Sequence, residues 1–248
     1  MVRLSYSKIN SFRTCPRQYY YSSVKKVPFV PNKWMIAGNE VHKIYEDASL
    51  SDDYETYITT HKDYDKYKVM MDNYISYMKH IESQGENPKP KVAELKIYDK
   101  DFDFSLIIDR IDAKKDGTVL LSDYKTDSKV NYDKHMNQLL IYSYFFEKKY
   151  GKPVDYIGVY FCKHHKKLNK PVKVTKELID GAIKWLMDGK KDIESLIGKP
   201  ETAYTAKTSK LCEYCSHRIN GYCKEGAKYV EDLYKTSEPV EVSLDEFE

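Results

Sequence analysis

No long apolar run occurs in this chain of 248 residues. Nothing in it approaches the roughly 18 consecutive apolar residues that a membrane-spanning helix needs. The opening Met1-Val2-Arg3-Leu4-Ser5 lacks the apolar stretch of a secretory leader. These absences point to a soluble protein of the cytoplasm, with no membrane partner. The motif G-x-x-x-x-G-K-S/T is missing as well, which excludes a recognisable P-loop motor. Tryptophan is scarce, at two residues, whereas tyrosine reaches 24. Cysteine numbers five, and an odd count in a reducing compartment points to metal or thiol chemistry and away from a disulfide framework.

A dominant charge of one sign is also lacking, since the formal net charge is only +3. That average hides segregation along the chain. Residues 1–45 carry eight Lys/Arg against the single acid Glu40, and residues 161–176 carry six Lys and no acid. Residues 230–248 hold seven acids and one lysine, Lys235. A basic body with interleaved Tyr and Phe suits a phosphate backbone and splayed bases. The same runs also read as ordinary solvated faces. The acidic tail reads as a disordered solubilising segment, or as a docking segment for a protein partner.

Hydrophobic residues make up 41% of the chain, enough for a core. Helical spacing covers 7–21, 33–48 and much of 51–84, where Gly85 and Pro88 close the pattern. Strands are expected over 92–98, 102–113 and 118–123, the last two joined through Lys115-Asp116-Gly117 as a hairpin. A helix over 132–150, a strand over 154–162 and a helix over 176–197 follow. The whole predicts an α/β fold with a mixed central sheet flanked by helices. It divides as an N-terminal segment (1–30), a core (31–199) with a helical insertion at about 49–87, a Cys-bearing segment (200–229) and an acidic tail (230–248).

Asp109 sits in an apolar strand, and Val119-Leu-Leu-Ser122 runs into Asp123-Tyr124-Lys125. Two carboxylates on neighbouring strands suit one hard divalent cation. A lysine two residues beyond the second acid points to the same side of its strand. That is equipment for metal-assisted phosphodiester hydrolysis. Acid-x-Lys also occurs at Glu94-x-Lys96 and elsewhere, where a solvated ion pair is the default. Gln138 and Tyr142 share one face of the following helix, four residues apart.

Taken together, Gly38-x-x-x-His42, Asp109, Asp123-x-Lys125 and Gln138-x-x-x-Tyr142 resemble the ordered motifs of the RecB-like branch of the PD-(D/E)XK nucleases. The resemblance runs from Leu4 to about Cys223 and implies a restriction-endonuclease-like fold. It also implies that His42, Asp109, Asp123 and the Tyr124 carbonyl ligand Mg²⁺ or Mn²⁺, with Lys125 as the catalytic lysine. Gln138 and Tyr142 would position the DNA strand, and Glu94 is a further acid of lesser weight. The implied activity is a metal-dependent DNA exonuclease, acting on single strands or DNA ends. The family serves recombination, repair and CRISPR-type DNA processing, in cells or phages. A catalytically idle DNA-binding or adaptor module on the same fold is the alternative.

Cys212-x-x-Cys215 is followed by Cys223. Three close thiols ask for a fourth ligand, with Cys15 and Cys162 as candidates and His217 as a spare. Cys162 ends an apolar strand and reads as a buried core residue, whereas Cys15 lies in a Cys-Pro step flanked by Arg and Tyr. Zn²⁺ and a 4Fe–4S cluster both accept four thiolates. Here the arrangement resembles the iron–sulfur staple of AddB-type and CRISPR-associated RecB-like nucleases. That implies a 4Fe–4S cluster on Cys15, Cys212, Cys215 and Cys223, forming a small cap from both chain ends. Closing so long a loop would restrict the unfolded chain strongly.

Overall fold

The computed structural model describes residues 3–164 and 171–235. Part of the basic run (165–170) and most of the acidic tail (236–248) lie outside the described residues. The chain divides into two compact units. One comprises residues 1–6 and 33–191, the other residues 7–32 and 192–248. No helix among the described residues is long and apolar enough to cross a membrane.

The larger unit is built on a sheet of five strands in sequential order: β1 (Val92–Asp99), β2 (Phe104–Ala113), β3 (Val119–Lys125), β4 (Tyr156–Phe161) and β5 (Val172–Lys173). β1, β2 and β3 pair antiparallel, β3 and β4 parallel, and β4 and β5 antiparallel. The expected hairpin joins β2 to β3, with Gly117 at φ +89° and Lys114 N–H donating to the Thr118 carbonyl at 2.9 Å. A parallel pair needs a long crossover, which here contains α6 (Asp133–Tyr150), and the helix expected over 176–197 is α7 (Lys176–Glu194). The short β5 was not anticipated, because its residues sit in a basic run with no apolar alternation.

Residues 51–84 do not form one continuous helix. Asp53 caps α4 (Tyr54–Thr59), accepting the Thr56 N–H at 2.9 Å, and a turn with a short 3₁₀ segment precedes α5 (Lys68–Ser83). Together with α3 (Lys33–Leu50), these elements bury Val41, Ile44, Tyr45, Ile58, Met71, Tyr74 and Met78 against Tyr124, Tyr160 and Cys162. Tyr45 and Tyr74 stack at 3.9 Å, which accounts for part of the tyrosine excess: it is core. Cys162 is a core residue as expected, and burial pushes its thiol up to about 12. Arg110 is fully buried on β2, held by Asp112 at 2.7 Å and the Pro88 carbonyl at 2.7 Å. A charge so placed needs such partners.

In the smaller unit the expected helix over 7–21 is broken. α1 (Tyr6–Thr14) stops where Cys15 is extended (φ −158°), and α2 (Pro16–Tyr19) restarts with proline at its first position. Proline lacks the N–H that a continuing helix requires and suits a first turn. A π turn over Tyr20–Val24 follows. Arg17 joins the distant ends of the sequence, donating to the Tyr204 carbonyl at 2.8 Å and pairing with Glu201 and Glu225 at 3.1 and 2.8 Å. The Cys-bearing segment folds as a 3₁₀ turn (Lys210–Tyr214), α8 (Ser216–Ile219) and α9 (Lys224–Lys235). The first residues of the acidic tail are thus helical.

Candidate functional site

The carboxylates lie where the β2–β3 ladder ends. Its last pair is Arg110 with Ser122. One step further, Asp109 and Asp123 face each other across the two strands. The Asp109 carboxylate takes over from the missing ladder bond, accepting the Tyr124 N–H at 2.8 Å. On the other side of β2, Ala93 pairs with Arg110 and Leu95 with Ile108. Glu94 therefore stands opposite Asp109, in a left-handed backbone conformation (φ +49°). A non-glycine residue there is strained, and such strain gathers at functional sites.

His42 reaches this point from α3, with Nδ1 at 3.4 Å from Asp109 Oδ2. The helix can approach because Gly38, one turn earlier, has no side chain: a Cβ there would meet Thr126 Oγ1 at 3.3 Å. His42, Glu94 and Asp109 each bring a ligand atom within 4.8 Å of the others, and this is the one such group of acids, His and Cys among the described residues. Asp123 adjoins it but is engaged elsewhere. Lys125 Nζ is 2.6 Å from Asp123 Oδ2, and Gln138 Nε2 donates to Asp123 Oδ1 at 3.1 Å. The lysine contact is a buried ion pair, and it occupies Asp123 Oδ2. Gln138 also accepts from Lys125 at 3.4 Å and donates to the Tyr142 hydroxyl at 3.2 Å. The Tyr124 side chain points into the core, which leaves only its backbone for the site.

The electrostatics are those of a site short of positive charge. Burial, and then the charge of Asp123, push Asp109 well above the usual carboxylate range. Burial and Glu46 raise Glu94. Burial lowers His42 and favours its neutral, ligating form. Burial opposes the Lys125 charge, but Asp123 and Asp109 outweigh it and its pKa rises. Three acids and a neutral histidine fit a divalent cation with oxygen-rich coordination.

Sequence reasoning ranked Glu94 as a lesser candidate, because its acid-x-Lys pattern recurs along the chain, and the structure groups it with His42 and Asp109. Tyr6 was missed altogether. That residue stacks on Trp185 at 5.3 Å, and burial raises its hydroxyl pKa, with Lys125 and Asp123 close enough to pull in opposite directions. A lone tyrosine ahead of a helix carries no signal.

In the smaller unit, Cys15, Cys212, Cys215 and Cys223 line one recess. Three of the sulfurs accept backbone N–H groups: Cys15 from Lys207 at 3.4 Å, Cys212 from Ser209 at 3.5 Å and Cys223 from Gly226 at 3.4 Å. The sulfurs are not tightly clustered, since no three lie within 4.8 Å of one another. His217, the spare candidate, lines the same recess. It is buried beside the Tyr21 ring, at 5.5 Å between centroids, and burial lowers its pKa.

No curated protein matches the chain. Among solved structures, it resembles a crystal structure of a "Putative exonuclease" from Eubacterium rectale. The TM-score is 0.54 at 11% identity, over 86% of each chain, a likeness of fold. The sequence profile of the PD-(D/E)XK nuclease superfamily matches residues 3–220. The chain therefore belongs to the PD-(D/E)XK nuclease superfamily.

Proposed function

We propose that this chain is a Mg²⁺- or Mn²⁺-dependent deoxyribonuclease of the RecB-like branch, acting as an exonuclease on single-stranded DNA or DNA ends in the cytoplasm. The observation that carries this reading is the grouping of His42, Glu94 and Asp109 beside the Asp123–Lys125 pair. His42, Glu94, Asp109 and Asp123, with the Tyr124 carbonyl, would hold the cation. A divalent cation there would neutralise charge at the scissile phosphate and favour ionisation of the attacking water.

The remaining roles belong to the chain itself. Lys125 keeps its proton and offsets phosphate charge as it accumulates. Gln138 fixes both Asp123 and Lys125, and Tyr142 fixes Gln138. The basic runs track the strand.

A 4Fe–4S cluster on Cys15, Cys212, Cys215 and Cys223 belongs to the same reading, supported by the one recess these residues line. A tetrahedral zinc on the same four thiolates is the alternative. The cluster's role is structural, tying residues near both chain ends, as Arg17 already does. The pathway is one of DNA recombination, repair or CRISPR-type processing.

Metal-dependent digestion of labelled single- and double-stranded oligonucleotides tests the reading. The wild type degrades them with Mg²⁺ or Mn²⁺, and Asp123→Ala does not while still binding them. Cleavage retained by that variant sinks the assignment. A wild type that binds and never cuts makes the chain the idle module.

A further inference from the structure

The first turn of α3 is apolar yet turned outward. Trp34 is 64% exposed, and Met35 and Ile36 are 45% and 44% exposed. Further along the same helix, Val41, Ile44, Tyr45 and Ala48 are buried in the core. Exposing an indole to water forgoes the burial that such a large ring ordinarily contributes. Two ammonium groups lie against it: Lys33 Nζ at 4.9 Å and Lys163 Nζ at 5.7 Å from the ring centroid.

The position of this ring relative to the carboxylates is fixed by two elements. Trp34, Gly38 and His42 ascend α3 in four-residue steps, so the indole lies about 12 Å along the axis from the metal-site histidine. Lys163 follows the carboxyl end of β4, and the last residue of that strand, Phe161, is in register with Lys125. The ring thus sits at the carboxyl end of the parallel β3–β4 pair, where open α/β sheets commonly place their ligands.

We infer that Trp34, with Lys33 and Lys163, is a stacking platform that holds a base of a single-stranded substrate a short distance from the carboxylate site. This rests on the nuclease reading and adds a positioning residue to it. An aromatic face accepts any base, and flanking lysines take the phosphates on either side, the pairing that sequence-independent strand binders use. An apolar protein partner is the poorer fit. Covering Trp34 with one would strip water from two ammonium groups without supplying acceptors. A polyanionic strand uses both charges.

The test measures binding of fluorescein-labelled (dT)15 in EDTA and its digestion with Mn²⁺. Trp34→Ala is expected to weaken binding about tenfold and to raise KM by a similar factor. The kcat at saturating strand is expected to hold, because Trp34 touches no reacting group. Trp34→Phe restores most of the affinity. In the wild type (dT)15 quenches tryptophan fluorescence, and Trp34→Phe loses that quenching. Unchanged binding and KM in Trp34→Ala overturn the platform while leaving the nuclease intact. So does a Trp34→Ala whose only change is loss of self-association. A wild type that digests neither (dT)15 nor a duplex overturns the nuclease reading itself. Matching far-ultraviolet dichroism and melting temperature exclude misfolding.

Discussion

Lys125 Nζ lies 2.6 Å from Asp123 Oδ2, and Gln138 spans the two side chains from α6. The contact holds the ammonium in place and keeps it charged against the cost of burial. Lys125→Ala and Asp123→Asn are each expected to lower the digestion rate by about 10²–10³-fold or more. Gln138→Ala leaves the ion pair standing and should cost about tenfold. Rates on a labelled oligonucleotide at saturating Mn²⁺ measure all three. A Lys125→Ala rate within a few-fold of wild type removes the lysine from the mechanism.

Glu94 separates strain from ligation. Its backbone at φ +49° costs a non-glycine residue about 1–2 kcal/mol. Glu94→Gly relieves that cost while deleting the carboxylate, whereas Glu94→Ala deletes the carboxylate and keeps the strain. The expected result is a glycine variant that melts at or above the wild type and an alanine variant that gains nothing from the backbone. Both should bind Mn²⁺ about tenfold more weakly, as expected when one anionic ligand is lost. Scanning fluorimetry in EDTA reads the first effect and titration calorimetry the second. Wild-type Mn²⁺ affinity in both variants leaves Glu94 as a strained residue without a ligand role.

Much of this site was legible in the sequence, and the reasons are local. Asp123 and Lys125 stand out because an apolar strand runs straight into them. Asp109 stands out because a charge interrupts Leu106-Ile-Ile. Asp109 and Asp123 meet because a short hairpin sets the register of β2 on β3. Glu94 was harder to see, because its prominence comes from a backbone conformation and from pairing with β2, which no local pattern encodes. Tyr6 reaches the site by tertiary packing alone. The break at Cys15-Pro16 was written in the chain as a proline, yet the helical spacing on either side masked it. The long insertion failed as a single helix because Asp53 caps a new start that periodicity passes over.

Asp109 predicts an inverted dependence of stability on pH. Burial and the neighbouring Asp123 raise its pKa in the folded chain above the unfolded value near 3.9. The fold therefore binds this proton more tightly than the unfolded chain does. Stability associated with Asp109 is full below about pH 4 and is lost as pH rises through the raised folded value. The substitution Asp109→Asn keeps an oxygen for the Tyr124 N–H and removes the charge. In EDTA at pH 7, this variant should melt several degrees above the wild type, since about 1 kcal/mol moves Tm by roughly 2–4 °C at this size. The two curves should converge as pH falls below about 4. Saturating Mn²⁺ should reverse the order at pH 7, because only the wild type gains binding energy. A variant less stable than wild type in EDTA at pH 7 contradicts the electrostatic account.

Gly226 offers a probe of the cysteine recess that leaves every sulfur in place. Its N–H donates to Cys223 Sγ at 3.4 Å, and a Cβ there would meet the same sulfur and Arg218 Cγ, both at 3.3 Å. Cys223 is buried, and burial raises its thiol pKa, so whatever stabilises the thiolate form must come from a bound cation or from donors such as this N–H. Gly226→Ala should crowd the sulfur and weaken retention of the group without removing a ligand. Anaerobically purified wild type should be brown, with broad visible absorbance near 400 nm and about four irons per chain, as a cubane on four cysteines requires. Cys15→Ser and Cys215→Ser should lose that colour, and Gly226→Ala should bleach faster in air while starting from the wild-type spectrum. Cys162→Ser should keep the full spectrum, since that thiol belongs to the core of the other unit. A colourless wild type carrying one zinc per chain replaces the cluster with a single metal, and a wild type with neither leaves side-chain contacts such as those of Arg17 and Tyr21 to join the two stretches of sequence.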